Sequence, residues 1–92
     1  MLDLNKKFSL NEKIVLRSIA DKYWALDTLN GNQYRLNESA FFILDHLRTL
    51  QSIAQLIDKI LNNYDINQEQ LITDCRAILQ SAKEKGIIKE VS

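Results

Sequence analysis

Proline, glycine and cysteine are scarce in this sequence, which has no proline, two glycines and one cysteine in 92 residues. With 46% apolar and 26% charged residues, this shortage excludes a flexible linker or a disordered tail and indicates a folded domain. A chain of this length builds only one core, so we expect a single domain over residues 1–92, with residues 1–7 disordered. The lone Cys75 cannot form an internal disulfide, which favours a reducing compartment.

A net charge and a long apolar run are also missing. Twelve Lys and Arg residues balance twelve Asp and Glu residues, so no overall field attracts the chain to nucleic acid or to anionic lipid. The N-terminal residues carry charges throughout and contain no apolar stretch, which argues against a signal peptide or a membrane span. We therefore predict a cytoplasmic protein that has neither a nucleic acid nor a membrane as its partner.

The residue sets that perform catalysis or hold a cofactor are absent as well. His46 is the only histidine, and no second histidine or cysteine stands at the spacing that a zinc site needs. Gly31 and Gly86 stand apart, so no glycine-rich loop can hold a phosphate. Cys75 belongs to an apolar helical stripe, where burial raises the pKa of a thiol and makes it unreactive. The sequence thus predicts a binding protein that is not an enzyme and has no metal and no cofactor.

The first third of the chain has the composition of β-strands. Segments rich in β-branched and aromatic residues alternate with turn residues, and we predict strands at residues 14–20, 23–28 and 33–36. Asp21 and Lys22 provide a polar turn between the first two strands. Asn30 and Gly31 tolerate the positive φ values of a tight hairpin turn before the third. These turns predict a three-stranded antiparallel meander.

Three helices are predicted after the strands. Asn37, Thr49 and Asn67 are capping residues that each precede apolar residues at helical spacing. The series of apolar residues at helical spacing is longest after Asn67. Gly86, near its end, can take the left-handed conformation that ends a helix. A sheet followed by helices buries its apolar face against them, so the expected fold class is α+β.

If the three strands follow one another in the sheet, the third lies at an edge. An edge strand leaves alternate N–H and C=O groups unpaired, and these can accept a peptide as an additional strand. Side-chain alternation puts Tyr34 and Leu36 on one face of this strand and Gln33 and Arg35 on the other. We expect a peptide-binding groove between this strand and the helix that packs beside it.

Several short motifs resemble those of the PqqD family. Residues 34–40, with the sequence YRLNESA, and Ile43 after them resemble the family signature Y-x-L-N-x-[ST]-[AG]. Residues 64–79 are similar to its Y-x-[VI]-x-x-E-x-L-x-x-D stretch, and residues 86–88 are similar to its closing G-[LI]-[LI]. The likeness extends over residues 8–90.

The resemblance implies a winged-helix-like domain of the kind called a RiPP recognition element. Such a domain binds the leader of a ribosomally synthesised, post-translationally modified precursor peptide and presents it to a separate tailoring enzyme, such as a radical enzyme, a protease or a cyclase. In the family, the leader adds to the third strand and packs against the third helix. The peptide contacts that carry over to this chain are Gln33, Tyr34, Arg35, Leu36, Asp74, Cys75, Ile78, Leu79 and Ala82.

Two positions depart from the family pattern. Leu44 stands where a tryptophan is common, and Arg48 stands where the family often has a glycine. We expect neither residue to lie in the groove.

Two alternative functions follow from the same features. A winged-helix DNA-binding regulator would concentrate basic residues along one helix. The predicted last helix instead mixes both signs of charge, since Arg76, Lys83 and Lys85 stand among Glu69, Asp74 and Glu84. A self-associating module is the second alternative, because an open sheet edge also pairs with a copy of itself.

Overall fold

The computed structural model describes residues 5–91, which fold into three helices and two three-stranded antiparallel sheets. The strands are β1 (Lys7–Leu10), β2 (Ile14–Ile19), β3 (Lys22–Asp27), β4 (Gln33–Leu36), β5 (Gln51–Ser52) and β6 (Ile88–Val91). The helices are α1 (Glu38–Asp45), which continues into a 3₁₀ turn at His46–Arg48, α2 (Ile53–Asn63) and α3 (Gln68–Glu84). The predicted α+β class, with a meander followed by helices, is confirmed.

The meander consists of β2, β3 and β4 in sequence order, as predicted. Its first turn lies at Ala20 and Asp21, which have positive φ values of 51° and 63°, and Ile19 pairs with Lys22. Two consecutive left-handed residues make a hairpin turn that follows the right-handed twist of the strands. The predicted turn at Asp21 and Lys22 is therefore shifted toward the N-terminus. Neither turn residue is a glycine, so the usual sequence signal was missing.

A buried carboxylate holds the loop between β3 and β4. Asp27 is only 2% exposed, and its Oδ1 accepts hydrogen bonds from the N–H groups of Leu29 and Asn30 at 3.0 and 3.2 Å. Its Oδ2 lies 3.1 Å from Lys13 Nζ, in the connection between β1 and β2. Burial by itself raises the pKa of Asp27, but the hydrogen bonds from Lys13 and from the backbone outweigh it, so the pKa lies below its ordinary value.

We expect this ion pair to make the stability of the fold depend on pH. Because the pKa of Asp27 is lower in the folded chain, the pair stabilises the fold above the ordinary carboxyl value of 3.8. That stabilisation is lost as the pH falls through the folded value. Asp27→Asn should therefore flatten the acid side of the stability curve, measured by urea unfolding across the acid range. Asp58→Asn, at an exposed carboxylate on α2, is the control, and equal acid sensitivity in both variants would contradict this role.

A second sheet, which the sequence did not predict, joins distant parts of the chain. Its central strand β1 pairs with β5 on one side and with β6 on the other. The strands have two to four residues each, which is too short to show a clear apolar alternation. Of the residues predicted to be disordered, 1–4 lie outside the described residues, whereas Lys7 begins β1. Strands thus occur after the helices as well as before them.

The start of α2 differs from the sequence prediction. Thr49, the predicted cap, lies outside the helix, and its hydroxyl accepts a hydrogen bond from Gln51 Nε2. The N-cap is Ser52, whose Oγ accepts from the N–H of Gln55 at 3.1 Å, while Gln55 Oε1 accepts from the N–H of Ser52 at 2.9 Å. This reciprocal capping box satisfies two backbone donors at once. Both residues precede the same apolar stripe, so periodicity alone could not choose between them.

Both ends of α3 agree with the sequence signals. Asn67 Oδ1 accepts a hydrogen bond from the N–H of Gln70 at 3.0 Å, as expected for an N-cap. Gly86 has a φ of +75°, and the N–H of Ile87 bonds to the carbonyl of Ala82 at 2.9 Å. This left-handed closure turns the chain back, so that Ile87 is only 1% exposed and β6 returns to the second sheet.

The core lies between the inner face of the meander and the helices. Leu16 pairs with Ala25 on that face, and their exposed fractions are 4% and 0%. The helical segments supply Ile43, Leu44, Leu47, Ile53, Leu56, Ile57, Ile60, Leu71, Cys75, Leu79 and Ala82. The inner face is therefore occupied by the core, and the edge of the meander remains available for binding.

Candidate peptide-binding groove

The meander has two edge strands, β2 and β4, and β4 pairs with β3 and with no other strand among residues 5–91. Within β4, Tyr34 and Leu36 are half buried on the core side, whereas Gln33 and Arg35 are exposed. This alternation agrees with the sequence prediction. The strand is also followed almost at once by α1, so the edge ends at the helix cap Asn37.

The backbone groups of β4 alternate in direction as well. In an antiparallel ladder, pairs that exchange two backbone hydrogen bonds alternate with pairs that exchange none. The N–H of Asp27 bonds to the carbonyl of Asn32 at 2.8 Å, which places this pair among the bonded ones. Every second residue of β4 after Asn32 therefore bonds to β3, and Tyr34 is one of them. The N–H and C=O groups of Gln33 and Arg35, which lie between the bonded residues, point away from the sheet. These outward groups are the ones that an added strand would meet.

A groove of about 250 Å³ lies beside this edge. One wall is formed by the end of β4 and the start of α1, and the opposite wall is the second half of α3. Leu44 and Ile87, each 1% exposed, contribute to it from the core. The residues that line the groove are Arg35, Leu36, Asn37, Ala40, Leu44, Ala77, Ile78, Ser81, Ala82, Lys85 and Ile87.

The predicted contact residues on α3 divide into two groups. Ile78 is half buried and lines the groove together with Ala82. Cys75 and Leu79 are 0% and 3% exposed and belong to the core, so neither of them lines the groove. Asp74 lines a neighbouring pocket. The apolar stripe of α3 is thus wide enough to face both the core and the groove, and a peptide contact through the buried residues stays a prediction.

The predicted contact residues on β4 lie partly at the groove. Arg35 and Leu36 line it directly, and Gln33 lies exposed on the same edge. Tyr34 packs partly against the core instead. Two of the four predicted strand residues and two of the five predicted helix residues therefore line the groove.

Several groove residues were missed in the sequence. Ser81 and Lys85 follow Ile78 at helical spacing on the same face of α3, which is the signal that could have found them. Leu44 was predicted to lie outside the groove, and this is wrong. Leu44 follows Ala40 by one helical turn, so both residues lie on the face of α1 that borders the groove. Arg48 is not among the lining residues, as predicted.

The two charged residues that line the groove are both basic. Arg35 and Lys85 both line it, and neither forms a salt bridge within the described part of the chain. The guanidinium carbon of Arg35 lies 5.2 Å from the centroid of the Trp24 ring on the outer face of the sheet. Two basic residues without a salt bridge, Lys85 at the groove and Arg35 on the outer face beside it, favour a peptide with an acidic residue along β4.

The thiol near the groove is chemically inert. Burial, and then the neighbouring charge of Asp74, raise the pKa of Cys75 to about 11. The thiol therefore stays protonated at neutral pH and cannot act as a nucleophile. Its contribution is that of a small apolar residue in the core.

One family model covers nearly the whole chain, including both walls of the groove. The model described as Coenzyme PQQ synthesis protein D (PqqD) matches residues 1–88. The chain belongs to the PqqD family. No curated protein matches it significantly. The family that the short motifs indicated is therefore confirmed.

Two solved structures share the fold of this PqqD-family chain. A lasso peptide synthetase B1 complexed with the leader peptide matches with a TM-score of 0.71 and 24% identity, covering 89% of this chain and 96% of that one. TbiB1 in complex with the TbiA(beta) leader peptide matches with a TM-score of 0.72 and 18% identity, covering 88% and 94%. At these identities the likeness establishes the fold, and it supports the predicted α+β architecture.

Other kinds of site find little support in this PqqD-family chain. Within residues 5–91, no group of three His, Cys, Asp or Glu side chains could hold a metal ion. His46 packs edge-on against Phe42, with the ring centroids 5.3 Å apart. None of the described helices is long and apolar enough to cross a membrane.

Proposed function

We propose that the protein binds the leader segment of a ribosomally synthesised precursor peptide and presents that peptide to a separate modifying enzyme. The observation that carries this proposal is the open edge of β4 beside a groove with apolar and basic lining residues, in a chain of the PqqD family. Two proteins of the same fold are complexed with leader peptides, which supports the same class of ligand here.

Binding proceeds by strand addition to β4. The outward N–H and C=O groups of Gln33 and Arg35 pair with the leader backbone, and each bond contributes about 0.5–1.5 kcal/mol net. These bonds tolerate many leader sequences, because they do not involve leader side chains. Alternate leader side chains point into the groove, where Leu36 and Ile78 provide apolar contacts and Lys85 favours a carboxylate. Specificity thus comes from the groove, and backbone pairing supplies much of the affinity.

Presentation to the enzyme needs no catalytic residue in this chain. A leader held on β4 keeps the rest of the precursor near a bound enzyme, and such tethering gives effective concentrations of about a millimolar for a short flexible segment. We infer that the protein is itself not an enzyme and that the chemistry belongs to its partner, such as a radical enzyme, a protease or a cyclase. A reducing cytoplasm suits the free thiol of Cys75.

The first test of this function is the class of ligand. A synthetic peptide with the leader sequence of the precursor encoded beside this chain should bind with a Kd of about 1 μM or lower. Backbone pairing and apolar contacts depend little on salt, so the Kd should change less than about tenfold between low and physiological salt. A DNA duplex should bind weakly and lose that binding as salt is added. Isothermal titration calorimetry at two salt concentrations measures both ligands.

A scrambled leader of the same composition is the control for nonspecific association. Tight binding of the duplex together with no heat from the leader would reject the peptide function and favour the DNA-binding regulator. Size-exclusion chromatography tests self-association separately. A dimer that dissociates when the leader is added would indicate that the β4 edge pairs with its own copy in the absence of the leader.

A further inference from the structure

A second pocket lies past the end of the groove. Its volume is about 270 Å³, and it is enclosed by the start of α1, the end of α2 and the start of α3. Ile43, Ile60 and Leu71, which are 1–4% exposed, contribute its core side. Phe42, Tyr64 and Ile66 complete its apolar lining.

The pocket continues the groove along the same elements. Leu36 and Asn37 line the groove, and the next residue, Glu38, lines the pocket. On α3, Asp74 of the pocket lies one helical turn before Ile78 of the groove, on the same face. A peptide that leaves the C-terminal end of β4 along α3 therefore arrives at the pocket.

Two of the apolar residues that line the pocket are exposed to solvent. Tyr64 and Ile66 are 47% and 41% exposed, although both are large apolar side chains. Tyr64 is held in place by Phe42, against which it packs edge-on with ring centroids 4.7 Å apart. A volume of about 270 Å³ is enough for one bulky side chain of a peptide.

The charges around the pocket are opposite in sign to those of the groove. Glu38 and Asp74 line the pocket, and within residues 5–91 neither forms a salt bridge. Asp74 accepts a hydrogen bond from Gln70 Nε2. The groove carries Arg35 and Lys85 instead. The whole binding face is thus cationic beside β4 and anionic beyond it.

We propose that this pocket is a second subsite for the same leader, which takes one bulky apolar side chain flanked by a basic residue. The proposal rests on the function proposed above and adds to it the chemistry of the leader. The preferred leader carries an acidic residue in the segment that pairs with β4 and an apolar residue next to a basic one beyond that segment. Continuity with the groove along α1 and α3 identifies the leader as the occupant.

The second subsite fixes the register of the peptide, which strand addition alone does not fix. Backbone pairing alone allows a peptide to shift along the edge by two residues, because the same groups then pair again. One apolar side chain seated in the second pocket makes all but one register unfavourable. The opposite charges of the two sites also distinguish the two directions of the peptide. The leader is therefore held at one position, and the start of its core segment lies at a constant distance from the protein.

The apolar half of the proposal is tested by a pair of matched double variants. Tyr64→Ala with Ile66→Ser removes the exposed wall of the pocket and should weaken leader binding by at least about tenfold, measured by calorimetry. Ile19→Ser with Leu29→Ser is the control, since these side chains are 60% and 82% exposed on the far turns of the meander. The control should bind within about twofold of the original chain.

A shortened peptide separates this proposal from the proposed function. A leader cut down to the segment that pairs with β4 should bind the original chain and the Tyr64 and Ile66 double variant equally well. If the full leader binds the original chain but the double variant binds it unchanged, the second subsite is rejected and the groove remains. If the full leader does not bind the original chain, the proposed function itself fails.

The charged half is tested by a double-mutant cycle. Glu38→Gln with Asp74→Asn is combined with a leader whose basic residues beyond the paired segment are replaced by Gln. Either change alone should weaken binding about threefold to tenfold at low salt, and the two together should weaken it no further. Glu84→Gln, at an exposed carboxylate near the end of α3, is the matched control. Strictly additive losses would overturn the pairing of these carboxylates with the leader.

Discussion

Arg35→Pro is expected to weaken leader binding by more than about tenfold while the domain stays folded. The N–H of Arg35 points away from the sheet, so a proline there removes a donor that only the leader uses. The lost bond contributes about 1 kcal/mol, and the proline ring also obstructs the approach of an added strand, so the Kd should rise by more than about tenfold. Natural sheets tolerate proline on an edge strand whose N–H faces solvent. Calorimetry measures the affinity, and circular dichroism confirms the fold.

Two further variants show whether the loss of binding in Arg35→Pro is caused by the missing backbone N–H. Arg35→Ala keeps the N–H and removes only the side chain, including its contact with Trp24, which is worth about 0.5–1 kcal/mol at an exposed site. Tyr34→Pro removes an N–H that bonds to β3, so it should lower the free energy of unfolding by about 3 kcal/mol or more. Near-normal leader binding by Arg35→Pro would mean that the peptide does not add to β4.

Ile78→Glu is expected to produce the second large loss of affinity. Ile78 is half buried and lines the groove, where an apolar side chain of the leader would pack against it. A carboxylate at this position loses that contact and cannot be desolvated without cost, so the Kd should rise by about a hundredfold. Because Ile78 is partly open to solvent, the new carboxylate can stay hydrated in the free protein. The domain should therefore remain folded with only a small loss of stability.

The neighbouring residue is the natural control. Leu79 is 3% exposed and lies in the core, so Leu79→Glu buries a charge and should cost several kcal/mol of a total stability of about 5–15 kcal/mol. Thermal unfolding followed by circular dichroism distinguishes the two substitutions. If Ile78→Glu unfolds the domain as Leu79→Glu does, Ile78 acts as a core residue and the groove has been assigned to the wrong face of α3.

The sequence was informative wherever the structure depends on neighbouring residues. Asn37 and Asn67 cap helices as expected, and Gly86 ends α3, because caps and closures involve residues only a few positions apart. The period of two in β4 correctly assigned Tyr34 and Arg35 to opposite faces. The meander order and the open edge followed from short turns. Together with the motifs of the PqqD family, these local signals located the strand wall of the candidate groove.

The tertiary structure alone decided which apolar residues of α3 are core and which line the groove. Cys75, Ile78, Leu79 and Ala82 belong to one apolar stripe in the sequence, and only the position of β4 and α1 beside the helix separates them. The pairing of β1 with β6 was also undetectable, because it joins opposite ends of the chain through strands of four residues each. The second pocket needs three separate helices to form. Local sequence patterns report the conformation of a segment, whereas these features depend on which surfaces meet after the segments have packed.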